Sequence, residues 1–217
     1  MRSVIVGAGT YGEVYLAYLQ EAGIHVIGFI DDNSELWGTT IRNIPVLGGF
    51  RDLQNLKDLY EIEALYCPIG SNRIRCGILD EARNKGLAIP NFIHPSVILS
   101  PNITIGEGVY ILPGCVIMPY TQIEDYSMIS MGVHIAHHTT LEEGVFLSTG
   151  CNVGASMILR RYAYCGISST IMTGVKEVGQ DALIGAGAVV IRDVPSLAVV
   201  AGVPAKILKY KENQHKE

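Results

Sequence analysis

Aliphatic or sulfur-bearing side chains recur at every sixth position through the second half of this chain. One extra residue shifts the frame after Ile171. A period of six fits neither an α-helix, which has about 3.6 residues per turn, nor an isolated amphipathic strand, which has a period of about two residues. The period therefore indicates a repeat. Its members are Ile93, Leu99, Ile105, Ile111, Ile117, Ile123, Ile129, Ile135, Leu141, Leu147, Val153, Leu159, Cys165, Ile171, Val178, Ile184 and Val190.

Such a period suits a chain that turns a corner after each short strand and points one large residue inward from each face. Three faces then close one coil. Glycines follow several of the large residues, where corners are tight and neighbouring coils stack closely; they are Gly106, Gly154, Gly166, Gly179 and Gly185. The pattern predicts an all-β parallel β-helix of triangular cross-section over residues 91–217, ending in a C-terminal tail.

A different pattern occupies residues 1–90. The apolar run from Val4 to Val6 meets a glycine turn, Gly7 to Gly12, and helical spacing follows. A second strand, Val26 to Ile30, ends on Asp31 and Asp32, where an acidic residue can accept hydrogen bonds from ribose hydroxyls. This order predicts an α/β, Rossmann-like nucleotide-binding domain; the alternative is a tight strand-to-helix turn that binds nothing.

Two further strands are predicted in this domain, Ala64 to Pro68 and one near Leu87 to Phe92, with Asn72 and Arg73 in the loop after the first. That loop follows the carboxyl end of its strand, where ligands bind in open α/β sheets. The domain is about half as long as a full dinucleotide fold requires. NAD is therefore disfavoured, and a single nucleotide that carries a sugar suits the length better.

Composition narrows the partners and the compartment. The chain has 217 residues and a net charge of −5, without a basic stripe, so nucleic acid is an unexpected partner. Arg2 leads directly into a short apolar strand, and no apolar run approaches a membrane span, so we expect a cytoplasmic protein that does not enter the membrane. The five cysteines lack a Cys-x-x-Cys pair and are expected to be reduced and mostly buried.

Together the two domains resemble the nucleotide-sugar N-acetyltransferases of the hexapeptide-repeat, sialic acid O-acetyltransferase-like family, which act on UDP-, dTDP- or GDP-linked 4-amino-4,6-dideoxy sugars. The resemblance implies a left-handed β-helix, acetyl-CoA as co-substrate without a metal, and a homotrimer with active sites between subunits. The segments that carry it are Gly7 to Gly12, Phe29 to Asp32, Ile69 to Arg75, Phe92 to Ser96, Ile135 to His138 and Gly202 to Lys206.

The resemblance also assigns a base. His137 matches the family's catalytic base, and an imidazole is suited to taking a proton at neutral pH. The alternative is a surface histidine that only makes hydrogen bonds. His138 stands where relatives often carry an acidic residue that orients the base, so its role is open. An extended strand would place His137 and His138 on opposite sides, which argues against one metal ion taking both.

The remaining site residues are also implied by the resemblance. Tyr11 replaces a histidine that is common in the glycine loop of relatives. The acceptor nucleotide sugar is assigned to Gly9, Tyr11, Asp31, Asp32, Asn72 and Arg73. The cofactor is assigned to Ala155, which together with Gly154 supplies the backbone N–H groups that donate to the thioester oxygen, and to Gly166, Ile167, Gly185, Ala186, Pro204 and Lys206, which line the CoA channel.

The favoured function is acetylation of the C4 amine of a nucleotide-linked 4-amino-4,6-dideoxy sugar for surface glycan biosynthesis. A close alternative changes only the acceptor, from this amine to a hydroxyl of sialic acid. An alternative of another class is a non-catalytic, trimeric nucleotide-sugar-binding protein. Turnover separates the last from the other two.

Overall fold

The computed structural model describes residues 1–212 of the chain and contains two compact units. The first is Met1–Asn91, and the second begins at Phe92. Within the described residues the longest helix has 13 residues, and none of the helices has the length and apolar character needed to cross a membrane.

The N-terminal unit is a five-stranded sheet with three α-helices. Its elements in chain order are β1 (Ser3–Val6), α1 (Thr10–Glu21), β2 (Val26–Ile30), β3 (Thr40–Ile41), β4 (Ile44–Gly48), α2 (Leu53–Tyr60), β5 (Ala64–Tyr66) and α3 (Asn72–Asn84). The strand order is β3-β4-β2-β1-β5; β3 and β4 are antiparallel, and the other pairs are parallel. Strands β1 and β5 are buried at every residue, as parallel strands covered on both faces are.

The strand predicted near Leu87 to Phe92 is not formed. Ala88 makes only an isolated bridge to Ala64, and Phe92 begins the first strand of the second unit. Pro90 explains the difference, because a proline lacks the N–H that a strand donates to its ladder.

The second unit consists of two-residue strands separated by corners, and a β-hairpin closes it. The strands are β6 (Phe92–Ile93), β7 (Ile98–Leu99), β8 (Thr104–Ile105), β9 (Tyr110–Ile111), β10 (Val116–Ile117), β11 (Gln122–Ile123), β12 (Met128–Ile129), β13 (His134–Ile135), β14 (Thr140–Leu141), β15 (Phe146–Leu147), β16 (Asn152–Val153), β17 (Ile158–Leu159), β18 (Tyr164–Cys165), β19 (Thr170–Ile171), β20 (Glu177–Val178), β21 (Leu183–Ile184), β22 (Val189–Val190), β23 (Ala198–Ala201) and β24 (Lys206–Tyr210).

These strands form three sheets, one for each face of a triangular β-helix, and every pair in them is parallel except the antiparallel β23–β24 hairpin. Sheet I is β24-β23-β21-β18-β15-β12-β9-β6, sheet II is β22-β19-β16-β13-β10-β7, and sheet III is β20-β17-β14-β11-β8. Ile117 pairs with Ile135, which pairs with Val153, so one coil takes three hexads. Leu159 pairs with Val178, one residue later than the period alone would give. Both the hexad period and its single frame shift are confirmed.

The large residue of each hexad packs into the interior of the β-helix. From Ile111 to Val190 every one of these residues is buried. Leu99 differs and is 40% exposed, because β7 is the end strand of sheet II and only one neighbouring coil packs on it. The interior is therefore a continuous apolar column, and polar side chains with chemical roles must lie on its outer faces and corners.

The corners define three edges of the β-helix. The histidine edge joins sheet II to sheet III and carries His137 and His138. The arginine edge joins sheet III to sheet I and carries Arg161 and Tyr162. The glycine edge joins sheet I to sheet II and carries glycines at its turns, Gly114, Gly132, Gly150 and Gly187.

Candidate active site

His137 and His138 occupy the corner between β13 and β14 on the histidine edge, and both side chains are exposed. His138 has a φ of +57°, the left-handed conformation that reverses the chain direction in a tight corner. Neighbouring coils hold the backbone from both sides: His138 N–H donates to the Pro119 carbonyl at 3.3 Å, and Ser156 N–H donates to the His137 carbonyl at 3.0 Å. The corner is thus a fixed platform.

The two imidazoles contact each other and a third ring. The Nδ1 atoms of His137 and His138 are 3.0 Å apart, and the ring centroids are 5.1 Å apart in an edge-to-face arrangement. The Tyr120 ring, at the same corner of the preceding coil, lies 4.8 Å from His138. The prediction that His137 and His138 point to opposite sides was wrong, because the left-handed φ of His138 breaks the alternation of an extended strand.

A groove of about 390 Å³ runs along the outer face of sheet II beside this corner. Among its lining residues, His134 and Asn152 are joined by a hydrogen bond of 3.0 Å between Nδ1 and Oδ1. Apolar side chains form most of the rest of its wall; the lining residues include Val116, Met118, Ala136, Gly154, Met172 and Thr173. The groove borders the predicted base through Ala136 and the predicted oxyanion site through Gly154.

The backbone N–H groups at the predicted oxyanion site are both in use. Gly154 N–H donates to the Ile171 carbonyl at 2.9 Å as part of the β-ladder. Ala155 N–H donates to the hydroxyl oxygen of Thr173 at 3.1 Å. A hydroxyl can rotate away from its donor, whereas a ladder carbonyl cannot. Of the two, the Ala155 N–H is therefore the one that can be released to a ligand oxygen, and Thr173, which sequence reasoning missed, is the residue that holds it.

The residues predicted to line the CoA channel follow strands of sheet I, on the glycine edge. Ile167 is 55% exposed, and Lys206 begins β24. Stacking between coils accounts for Gly166, since a Cβ there would lie 2.7 Å from the backbone nitrogen of Ala186. The other members of the set are Gly185, in the ladder with Val200, and Pro204, in the turn before β24.

Within one chain the predicted site residues do not all meet. His137 and Ala155 lie on the histidine edge, whereas Ile167 and Ala186 lie on the glycine edge, and the whole face of sheet II separates the two edges. The structure therefore groups the predicted base with the oxyanion donor, and the predicted channel residues with one another.

In the N-terminal unit the carboxylates of Asp31 and Asp32 accept hydrogen bonds from backbone N–H groups. The Asp31 carboxylate accepts from Ala8 N–H at 2.8 Å and from Asn33 N–H at 2.9 Å. The Asp32 carboxylate accepts from Phe50 N–H at 2.8 Å. Asp31 thus ties the glycine turn to the end of β2, and the lone pairs that remain on each carboxylate can still accept from a ribose.

The glycine turn itself is open above its backbone. A Cβ on Gly9 would meet nothing within 4 Å, whereas a Cβ on Gly12 would collide with the Gly7 carbonyl. Gly12 is therefore required for the close approach of α1 to the turn, and Gly9 leaves backbone accessible to a ligand. The Tyr11 ring is half-buried and packs edge-on against Tyr15 at 5.3 Å.

The prediction that Asn72 and Arg73 lie in a loop was wrong. Both are the first residues of α3. Ser71, with extended backbone angles, serves as the helix N-cap residue and ends the loop one residue earlier. Arg75, which sequence reasoning missed, is fully buried; its guanidinium donates to the Ile69 carbonyl at 2.9 Å and to the Asn72 side-chain oxygen at 3.0 Å. A buried guanidinium therefore shapes this turn, three residues after the Asn72 that it binds.

Neither a metal centre nor a cysteine nucleophile emerges from residues 1–212. No group of three or more His, Cys, Asp or Glu side chains in that range could hold an ion. All five cysteines are free and buried. Burial raises the pKa of the Cys67 thiol to about 12 and also raises the pKa of Cys165, so the reactive thiolate is disfavoured at both.

Comparisons with known proteins identify relatives of this chain. Residues 2–82 match the family described as the PglD N-terminal domain. The chain is similar to a histidine-to-alanine variant of GDP-perosamine N-acetyl transferase from Caulobacter crescentus, solved with CoA and GDP-perosamine: the TM-score is 0.87, the identity is 28%, and 96% of this chain and 97% of that chain are covered. PerB from Caulobacter crescentus, solved with the same two molecules, has a TM-score of 0.82, 31% identity and coverages of 96% and 98%.

Curated relatives match part of this chain and are longer than it. The serine acetyltransferase of Buchnera aphidicola is 34% identical over 125 residues, which are 56% of this chain and 43% of that protein. The chain spans less than half the length of the curated relatives that it matches.

The fold class that the sequence predicted is confirmed: a Rossmann-like α/β domain followed by the left-handed parallel β-helix of the hexapeptide acyltransferases. The relatives that align with 96% of this chain define a narrower family within that class. The chain belongs to the hexapeptide-repeat family of nucleotide-amino-sugar N-acetyltransferases.

Proposed function

We propose that this chain is an acetyl-CoA-dependent N-acetyltransferase that acetylates the C4 amine of a nucleotide-linked 4-amino-4,6-dideoxy sugar, in the cytoplasm, for surface glycan biosynthesis. One observation carries the proposal. His137 is exposed on a fixed corner with its Nδ1 held by His138, and among residues 1–212 its Nε2 makes no hydrogen bond. That nitrogen is therefore available to an incoming acceptor. CoA and GDP-perosamine, bound in the similar Caulobacter proteins, support the two ligand classes.

The reaction follows from the groups at this corner. The acceptor amine attacks the thioester carbonyl carbon, a C–N bond forms, and the amine proton moves to His137 Nε2. Ala155 N–H leaves the Thr173 hydroxyl and donates to the oxyanion of the tetrahedral intermediate. The C–S bond then breaks, and the CoA thiolate leaves and takes the proton from His137. No covalent enzyme intermediate is required, which agrees with the buried cysteines.

The acceptor is proposed to bind at the glycine turn of the N-terminal unit. The open backbone at Gly9 suits a diphosphate, and α1 begins directly after it, so its positive end favours a negative charge. Asp31 and Asp32 are proposed to accept from the ribose with their remaining lone pairs. Tyr11, Asn72 and Arg73 complete the proposed set. Because Tyr11 replaces the histidine of relatives, we expect its variants to change acceptor preference.

We also propose a homotrimer with active sites between subunits. The proposed base and oxyanion donor lie on the histidine edge, and the proposed channel residues lie on the glycine edge of the same chain. One CoA molecule can use both sets when the histidine edge of one subunit faces the glycine edge of the next. Three copies around a common axis pair each histidine edge with one glycine edge, and closed rotational symmetry supports this arrangement.

Thiol release from acetyl-CoA tests the proposal. The full chain is assayed with a thiol-reactive dye against UDP-, dTDP- and GDP-linked 4-amino-4,6-dideoxy sugars and free sialic acid, with His137→Ala in parallel. Turnover of one amino sugar that His137→Ala abolishes is the expected result. Turnover of sialic acid alone would make the chain an O-acetyltransferase. Binding of a sugar nucleotide without any turnover would make it a non-catalytic binding protein.

A further inference from the structure

The contact between the two histidines limits where their protons can be. Two Nδ1 atoms 3.0 Å apart are bonded only if one carries hydrogen and the other a lone pair. In the neutral pair, His137 Nδ1–H donates to His138, or His138 Nδ1–H donates to His137. Only the first arrangement leaves the lone pair of His137 on Nε2, because a neutral imidazole carries one proton.

We infer that His138, seated on the Tyr120 ring, is a positioning residue that accepts the Nδ1–H of His137 and so fixes Nε2 as the basic nitrogen. The inference rests on the proposed function and gives it a mechanism for orienting the base. It also adds Tyr120, whose ring lies 4.8 Å from that of His138 at an angle of 37°. A histidine thus takes the role that the resemblance gives to an acidic residue, without bringing a negative charge.

The backbone makes this ring arrangement reproducible. Tyr120 and His138 occupy equivalent corner positions one coil apart, with φ of +62° and +57°. Tyr120 N–H donates to the Asn102 carbonyl at 3.1 Å, so the corner beneath the ring is held in the same way as the histidine corner. The stacking of coils therefore places one ring under the other, and the face of Tyr120 limits how His138 can rotate.

The arrangement of the two rings determines how protonation of either ring affects the basic nitrogen of His137. Among the described residues, the titratable groups that contact the pair are the two imidazoles and Tyr120; the flanking Pro119 and Ser156 carry no charge. If His138 takes a proton, its Nδ1–H must donate to His137, and the neutral His137 then carries its proton on Nε2. One added proton on either ring therefore blocks the basic nitrogen.

Three substitutions at His138 separate backbone, hydrogen bond and charge. His138→Gly keeps the left-handed corner and removes the acceptor, so kcat/KM should fall about tenfold or more, as when orienting partners of other histidines are lost. His138→Asn tolerates the same φ and offers an amide oxygen to Nδ1–H, so it should recover most of that loss. His138→Glu offers a carboxylate oxygen to the same Nδ1–H, so its kcat/KM relative to that of His138→Asn separates the effect of charge from that of the hydrogen bond.

Tyr120 is tested in the same assay. Tyr120→Asn keeps the φ and removes the ring, and we expect kcat to fall by about two- to fivefold with little change in KM for acetyl-CoA, in keeping with the modest energy of one ring contact. Tyr162→Asn is the matched control, since Tyr162 has the same corner position on the arginine edge, with a φ of +62°. Equal losses in the two variants would mean that Tyr120 has no special role.

A second readout does not depend on turnover. Nitrogen-15 NMR of histidine-labelled full chain reports which ring nitrogen carries the proton, and the His137 signals are assigned by their loss in His137→Asn. We expect the Nδ1–H form of His137 near neutral pH and a mixture of forms in His138→Gly. An Nε2–H form in the wild type, or full kcat/KM in His138→Gly, would overturn the inference. An Nδ1–H form without turnover on any acceptor would instead overturn the proposed function alone.

Discussion

Two edges of the β-helix have the same backbone and opposite chemistry. On the arginine edge, Arg161 donates to Glu143 of the preceding coil at 2.6 Å, and its guanidinium lies over the Tyr162 ring at 4.7 Å. On the histidine edge, His137 bonds to His138, which rests on Tyr120 of the preceding coil. In both places a corner pair is tied back to the coil before it, and the second residue of the pair has a left-handed φ.

The difference lies in what remains available to a substrate. The charges of the arginine edge satisfy one another, and just before the corner Arg160 bridges Glu142 and Glu177 at 2.8 and 2.7 Å. The histidine edge is held by ring contacts and by one hydrogen bond between two imidazoles, which leaves His137 Nε2 accessible. The coil therefore supplies position, whereas reactivity depends on which side chains are left without an ion-pair or hydrogen-bond partner in a neighbouring residue.

Removal of the first corner residue on each edge gives the largest expected contrast. His137→Ala should lower kcat/KM by about 10²- to 10⁴-fold, because it removes the proposed general base. Arg161→Ala removes the equivalent residue of the other edge, and we expect kcat/KM to change by no more than about twofold, since exposed ion pairs contribute little. Initial rates of thiol release measure both. Comparable losses in the two variants would mean that the corners, not the imidazole, limit activity.

The shared backbone predicts a large effect on stability at Gly154. A Cβ there would lie 2.5 Å from the backbone nitrogen of Thr173 and 2.8 Å from the Met172 carbonyl carbon. Gly154→Ala should therefore lower the free energy of unfolding by about 1–3 kcal/mol, as overpacking does. Gly77→Ala in α3 is the control: its Cβ would meet nothing within 4 Å, and alanine is the better helix former. Denaturant titration that shows equal stability for both variants would contradict the close stacking of coils.

A substitution at Thr173 tests whether the proposed oxyanion donor, Ala155 N–H, is already occupied. Thr173→Val preserves side-chain shape and removes the acceptor of Ala155 N–H. We expect the KM for acetyl-CoA to fall by about two- to fivefold, because the thioester oxygen no longer competes for that donor, while the unfolding free energy falls by about 1 kcal/mol. Thr170→Val, on the same groove, should leave the KM unchanged. A higher KM in Thr173→Val would show that the hydroxyl assists CoA binding.

The β-helix could be predicted closely from the sequence because one physical constraint repeats along it. Each coil must place a large apolar residue inside on every face, so the period is directly visible in the sequence, as at Ile117, Ile135 and Val153. The N-terminal unit has no such period. Its β3–β4 hairpin and the helices α2 and α3 were not predicted, and the strand near Leu87 failed because a single proline outweighed local apolar content.

The sequence proposes residues for the site but does not give their geometry. The resemblance proposes His137 and Ala155, but the sequence does not reveal the left-handed φ that brings His138 against His137. The pairing of Ala155 with Thr173 depends on stacking of one coil on the next, just before the inserted residue that shifts the frame. Both are consequences of contacts distant in sequence, which a local pattern does not contain.

The smallest expected effect concerns the charges that support the arginine edge. Hydrogen bonds to Glu177 and Glu142 raise the pKa of Arg160 above its ordinary value. Arg160→Met keeps an apolar stem and removes the charge, which leaves two carboxylates facing one another. We expect Tm to fall by a few degrees at low salt and by less at about 1 M salt, where exposed ion pairs are screened.

Tyr120→Asn is the matched variant for this last test, because it removes a corner contact of the histidine edge that involves no full charge. Its effect on Tm should not depend on salt, and the activity of Arg160→Met should stay at the wild-type level. A salt-independent loss in Arg160→Met would assign the role of Arg160 to packing of its stem. Charge would then no longer distinguish the two edges in stability, and accessibility of a ring nitrogen would be the one difference left between them.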